Sequence, residues 1–340
     1  MNLFIRNQKK QTKNKIIRLL CLILQALLLT AFLSGCGSQG AQSADKMRVG
    51  ALKGPTTMGL LFLMEDAAQG NTKNQYDFQM ATGADELLSR MVKGQLDIAL
   101  IPANVASVLY QKTEGEVCVI AVNTLGVLYL TTGDEAVQHM EDLEGRTVYL
   151  TGKGTTPDYV LQYLLEKNEI RNCKLEYKSE ATEVAAILAE KPGEIGLLPQ
   201  PFVTAACMQN DKLSAVVSLN EEWNAVQEEP AYGMVTGVTV VRRAFLEENP
   251  EAVKSFLEEH KNSVQSLGEN PDKAAALCVE AGIVAKEAVA QKAIPECNIT
   301  CITGEAMKEA LESYLQVLYE RAPESVGGSM PGADFYSREQ

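Results

Sequence analysis

Apolar and polar positions alternate along this chain in two rhythms. Short, nearly continuous apolar runs suit strands buried on both faces, and stretches with apolar residues three and four apart suit helices with one buried side. In order, the pattern predicts strands at 47–52, 77–81, 96–101 and 117–122, interleaved with helices at 58–68, 85–93 and 104–111. After a crossing at 126–131 it predicts a helix at 134–140, then strands at 146–150, 173–177, 194–198 and 214–218. Helices at 157–167, 183–189 and 202–209 separate those strands. Residues 221–233 are polar, 235–241 reads as a strand of a return crossing, and helices follow at 243–247, 251–267, 271–281, 286–292 and 304–319. Such alternation implies α/β architecture, with mostly parallel sheets covered by helices.

The pattern also repeats. Val49-Gly-Ala-Leu-Lys-Gly-Pro-Thr-Thr57 has an altered copy in Val148-Tyr-Leu-Thr-Gly-Lys-Gly-Thr-Thr-Pro-Asp158. Further on, Asp97-Ile-Ala-Leu-Ile-Pro-Ala-Asn-Val105 is echoed by Glu194-Ile-Gly-Leu-Leu-Pro-Gln-Pro-Phe-Val203. Two matches in the same order predict two similar lobes, 47–128 plus 237–340 and 129–236, joined by a two-segment hinge that closes round a ligand. Each copy offers strand-to-helix turns at which unpartnered backbone N–H groups and a partial positive charge favour polar or anionic groups. Ordinary helix caps use the same residues, and the pairing of the copies is what argues for a cleft. Gly152-Lys153-Gly154-Thr155 is not a phosphate loop, because Gly instead of Ser or Thr follows the lysine.

Composition adds a compartment. Arg6, Lys9, Lys10, Lys13, Lys15 and Arg18 precede a largely apolar run at 19–32 that ends in Leu33-Ser34-Gly35-Cys36. That arrangement resembles a bacterial lipobox. It implies a leader over 1–35, a lipid on Cys36 and a flexible tether over 36–46. The full chain carries a net charge of −13, and removal of the leader takes it to −19. Such a surface repels nucleic acid, and no Lys/Arg-rich run interrupts it. Cys118, Cys173, Cys207 and Cys278 read as buried thiols, while Cys297 and Cys301 are either a disulfide or two thiols. With His139 and His260 far from that pair, no metal is expected.

On Lys53-Gly-Pro-Thr-Thr57, Lys93-Gly-Gln-Leu-Asp-Ile-Ala99, Asp142-Leu-Glu-Gly-Arg-Thr-Val148 and Phe245-Leu-Glu-Glu-Asn-Pro-Glu-Ala-Val-Lys254, the chain resembles the solute-binding lipoproteins of ABC importers. It is most similar to the nitrate/sulfonate/taurine-type family and its thiamine-precursor-binding relatives. The resemblance implies a two-lobed, periplasmic-binding-protein-like (type II) fold. It also implies an extracytoplasmic monomer that hands a small molecule or anion to a permease with its ATPase, without cofactor. Carried over, the contacts are Gly54, Pro55, Thr56, Thr57, Thr82, Gly83, Ala84, Ala103, Asn104, Asn123, Thr124, Gly154, Thr155, Thr156, Pro157, Gln200 and Tyr232. No arginine at these turns would clamp a sulfonate or nitrate, and Lys53 and Lys153 are expected to face solvent. Trp223 either packs or stacks on a ligand. The rival is an enzyme on the same scaffold, chorismate-dehydratase-like or pyrimidine-synthase-like. It would need a base in the cleft, and neither histidine looks placed to act as one.

Overall fold

The apolar runs become the strands of two sheets in the computed structural model, which describes residues 46–227 and 232–337. The expected leader, the expected lipid site at Cys36 and the expected tether as far as residue 45 lie outside the described residues. Among those described, no helix is long and apolar enough to cross a membrane.

In chain order the first part runs β1 (Met47–Leu52), α1 (Pro55–Met58), α2 (Leu61–Gln69), β2 (Tyr76–Ala81), α3 (Ala84–Val92), β3 (Ile98–Pro102), α4 (Ala103–Lys112) and β4 (Val117–Thr124). The middle holds β5 (Leu128–Thr132), β6 (Thr147–Thr151), α5 (Thr156–Lys167), β7 (Lys174–Lys178), α6 (Ala181–Glu190), β8 (Ile195–Pro199), α7 (Phe202–Gln209), β9 (Ser214–Ser218) and α8 (Leu219–Ala225). Last come β10 (Gly237–Arg242), α9 (Arg243–Glu248), α10 (Pro250–Glu269), α11 (Pro271–Glu280), α12 (Glu287–Ala293), β11 (Ile299–Ile302) and α13 (Gly304–Arg321).

The first sheet has the order β11-β4-β10-β3-β1-β2, and the second β7-β6-β8-β5-β9. Both are mixed. In the first, β10 runs antiparallel to β3 and β4, and in the second β5 runs antiparallel to β8 and β9. Each of these reversed strands is the first one formed after the chain arrives from the other sheet. Apart from β11, the strand orders match: β1 lies between β2 and β3 as β6 lies between β7 and β8, and β10 stands between β3 and β4 as β5 stands between β8 and β9. The repeated sequence is therefore a repeated fold.

Three predicted elements differ. Residues 134–140 form turns before a 3-10 turn at Met140–Leu143. Asp142 accepts the backbone N–H groups of Gln138 and His139, both at 2.9 Å, so these amides are satisfied without a helix. The helix predicted at 58–68 breaks at Gly59, where a side chain would meet His260 Nε2 at 3.1 Å. Within the polar 221–233 stretch, Ser218 caps α8 through Glu221 N at 3.4 Å, and Glu221 and Glu222 fall in the first turn, where the helix dipole favours them. Cys297 and Cys301 are thiols, and burial pushes Cys301 up to about 11.

Asp97 anchors the first sheet. Its buried carboxylate receives Arg48 N and Nε, both at 2.9 Å, and the guanidinium groups of Arg48 at 2.5 Å and Arg242 at 2.6 Å. Burial alone would raise its proton affinity, but the hydrogen bonds from Arg48 and Arg242 outweigh it and hold the carboxyl below its usual range. This contribution is complete above the ordinary carboxylate range and is lost as pH falls through the folded value. Asp97→Asn is expected to lower stability to urea by about 2 kcal/mol at neutral pH.

His260 is fully buried, and neither ring nitrogen has a hydrogen-bond partner among the described residues. It lies beside Gly59, with its ring centre 5.7 Å from that of Phe256, and burial lowers the ring to about 4 from 6.5. The fold thus requires neutral imidazole. Stability is complete above about 6.5 and falls as pH drops toward 4, by up to about 1.4 kcal/mol per pH unit from this group. Denaturation curves at pH 7.5 and 5 should show that difference for the native chain and a smaller one for His260→Leu.

Candidate ligand-binding cleft

Four strand-to-helix turns meet between the lobes. At the end of β1, Gly54 has φ 148° and ψ −154°, backbone angles reserved for glycine, and opens α1. The hydroxyls of Thr56 and Thr57 both donate to Leu52 O, at 2.9 and 2.5 Å, and Thr57 is fully buried. Pro55, half-buried, occupies the first turn. At the end of β3, Ala103 N donates to Thr236 O at 3.0 Å, and Asn104 Nδ2 donates to Ser325 O at 3.4 Å. Asn123 and Thr124, both buried, bond to each other at 2.9 Å, and Asn123 Nδ2 reaches Thr239 at 3.1 Å. Thr82 and Gly83 are exposed before α3, with Ala84 half-buried.

In the second lobe the turn after β6 is tied internally. Thr155 donates to Gly152 O at 2.6 Å, and Gly154 N donates to Asp158 at 2.8 Å. The buried Asp158 carboxylate also receives Gln162 at 2.5 Å and Tyr177 at 2.7 Å. Lys153, expected to face solvent, is exposed but lies 5.3 Å from the centre of the Tyr177 ring. Pro157 sits in the first turn of α5. Gln200 is buried and accepts Thr204 Oγ1 at 2.8 Å, while Tyr232 donates to Glu309 of α13. That bond raises the Tyr232 phenol above its usual range.

The turns face one another crosswise. Thr156 Oγ1 donates to Asn104 Oδ1 at 3.4 Å, joining the β6 turn to the β3 turn. Lys53 and Gly54 of the β1 turn share a cavity of about 400 Å³ with Pro201 and Phe202 of the β8 turn. First turn meets third turn in both cases, the reciprocity of two copies facing across an approximate twofold axis. Other hollows compare in size, among them one of about 430 Å³ beside Val264, Pro271 and Ile294. Another, of about 450 Å³ between α5 and α13, has a rim of charged groups, among which Arg321 pairs with Glu166. A third, of about 570 Å³, lies at the outer edge of the first sheet beside Arg243 and Asp334. Among the described residues no three His, Cys, Asp or Glu side chains cluster as a metal site requires.

The sequence pattern described as Menaquinone biosynthesis matches residues 52–320. The chain belongs to the menaquinone biosynthesis family. A comparison with curated proteins found no match. Among solved structures, an ABC transporter protein from Parabacteroides distasonis is 22% identical, with a TM-score of 0.74 over 87% of this chain and 99% of its own. The periplasmic aliphatic sulphonate binding protein of Escherichia coli is 14% identical, with a TM-score of 0.67 over 84% and 91%. The ligand-binding component of an ABC-type import system from Staphylococcus aureus is 13% identical, with a TM-score of 0.62 over 86% and 99%. At these identities the likeness concerns the fold, and the expected two-lobed periplasmic-binding-protein-like architecture is the fold of this chain.

In this member of the menaquinone biosynthesis family the lobes are tied at several points. Asn220 Oδ1 accepts Gly126 N at 3.2 Å on the outward crossing and Met234 N at 2.9 Å on the return. Asn298 Nδ2 donates to Gly126 O at 2.5 Å, and Tyr129 donates to Glu296 O at 2.9 Å. Trp223 is buried between Tyr163 and Tyr314, with ring centres at 5.1 and 5.4 Å, so it packs α8 against α5 and α13.

The candidate residues from the sequence omit part of the cavity. Phe202, Ala205 and Met208 line it from α7, and Ile283 and Val289 from the other lobe. The signal was a helix apolar at 202, 203, 205, 206, 207 and 208, more than one buried face needs. Asn220→Ala removes the acceptor that joins the crossings. It should cut hydrogen-exchange protection at Gly126 and Met234 by about 1–3 kcal/mol while leaving β1 and β3 protected.

Proposed function

We propose that this protein captures a small molecule between its lobes, outside the cytoplasm, and passes it unaltered to a membrane permease. The observation that carries this reading is the cavity shared by the Lys53–Gly54 turn of one lobe and α7 of the other. A ligand seated there touches both lobes and so favours the arrangement that brings them together, because it binds that state better than an open one. Asn104 and Thr156 do not line this cavity; their hydrogen bond is a separate contact that holds the lobes together. The lipobox-like leader and the fold shared with importer components support the delivery step.

Membership of the menaquinone biosynthesis family favours a second reading, an enzyme in the same cleft, with chorismate-dehydratase chemistry as the nearest comparison. That reading requires a group able to move a proton beside the ligand. His260 is enclosed in the first lobe and His139 is exposed before a 3-10 turn. Asp158, on the second lobe's turn, is engaged by three donors. These placements support capture over conversion.

The test uses the full chain, a panel of sulfonates, nitrate, aminopyrimidines, thiamine, riboflavin and chorismate, and thermal denaturation followed by recovery of the compound. A true ligand at a hundred times its dissociation constant should add about 2.7 kcal/mol of stability and be recovered intact. Asn104→Ala or Thr156→Ala removes a contact that holds the lobes together and should weaken a ligand that bridges them by about 1 kcal/mol. Recovery of a converted compound would establish the enzymatic reading in its place.

A further inference from the structure

The cavity at the Lys53–Gly54 turn has a chemical character of its own. Phe202 and Met208 are 39% and 40% exposed, and they are two of the four large apolar side chains left this open among the described residues. Both line this one cavity, opposite Ile283 and Val289. A soluble surface seldom gathers open apolar side chains in a concave place without an occupant. At the same cavity stand Lys53 and Lys286, and among the described residues no carboxylate lines it. In a chain of net charge −13, two lysines without an acidic partner in the lining make a locally positive spot next to an apolar wall.

We infer that this cavity takes a small amphipathic anion, an apolar body carrying one carboxylate or sulfonate. The body lies on Phe202 and Met208 of α7 and against Ile283 and Val289. The anionic group faces Lys53 and Lys286, one from the β1 turn and the other from the start of α12. Nitrate and bicarbonate leave the apolar wall uncovered, and a cationic solute would meet both lysines. The inference deepens the capture reading and rests on it for its biological sense, but not for its test.

The test is displacement of 1-anilinonaphthalene-8-sulfonate from the full chain by octanoate, octylamine and octanol, with small-angle scattering recorded alongside. Octanoate should compete at least about tenfold better than either of the others, and butanoate should compete more weakly than octanoate. Lys53→Gln/Lys286→Gln should reduce octanoate to the level of octanol while leaving the dependence on chain length. Ala205→Trp should abolish displaceable probe binding. Should that variant fail to fold, Phe202→Ala, which alters a partly exposed side chain, should weaken octanoate several-fold. Equal competition by octylamine, or an unchanged octanoate preference in the double lysine variant, would overturn the anion assignment. Full octanoate binding by both Ala205→Trp and Phe202→Ala would overturn the location. Binding to phosphatidylglycerol vesicles without binding to monomeric octanoate would also overturn the inference, since the occupant would then be a membrane surface. Octanoate binding with no decrease in radius of gyration would uphold the ligand class and refute closure.

Discussion

The carboxamide of Asn220 is the point on which the two-lobed arrangement turns. Its oxygen accepts one backbone N–H from each crossing, Gly126 and Met234, so the chain's outward and return passages are bound to a single atom. Gly126 is required there, because a side chain would lie 2.6 Å from Asn220 Cβ. Asn298 closes the other side through Gly126 O. Backbone pairing then extends outward from this knot. Thr236 N reaches Thr124 O at 3.0 Å, Thr236 O accepts Ala103 N, and Gln200 N reaches Val127 O at 2.9 Å. Each crossing therefore leads directly into the reversed strand of the sheet it enters, and each sheet depends on the other lobe for its connection.

From that constraint follows the cleft. Two repeats joined by paired crossings can face each other, and like turns then meet unlike turns: β1 with β8, and β3 with β6. The sequence copies are not identical, and their differences fall on the facing turns. Gly-Pro-Thr-Thr at 54–57 leaves Gly54 open to the cavity, whereas Gly-Thr-Thr-Pro at 154–157 ties its own hydroxyl and amide to Gly152 and Asp158. Both turns are tied internally, the first through the Thr56 and Thr57 hydroxyls on Leu52 O, and they differ in that Gly54 borders the cavity.

Most of the fold was legible because strands buried on both faces leave long apolar runs, and helices between them keep a clear period. Strand 214–218 and helix 202–209 fall on their predicted residues. Legibility failed where side chains outcompeted the backbone period, as Asp142 does for the amides near 138–139, and where Gly59 and Leu60 interrupt a helix that the apolar pattern reads as continuous. β11 was invisible for another reason: its four residues pair with β4 through an irregular register that no local pattern announces. The site was half legible. Turn chemistry marked Gly54 of the candidate cavity, but Phe202, Met208 and Ile283 belong to an inter-lobe wall assembled from segments about eighty residues apart, and periodicity does not say which segments meet.

Capture and catalysis ask different things of such a cleft. Capture needs complementarity that improves when the lobes approach, and apolar wall, lysines and turn hydroxyls suffice for that. Catalysis needs in addition a group that changes its proton or bonding state beside the ligand. The polar groups most strongly held here, Asp97 and Asp158, are bound by guanidinium, amide and phenol donors in service of the scaffold, and their fixed pairing is what lets the turns keep their shape. A family built on this frame can therefore host either activity through a few side chains at strand ends. In this chain those strand ends carry threonine, asparagine, glutamine and lysine, the set on which the proposed capture rests.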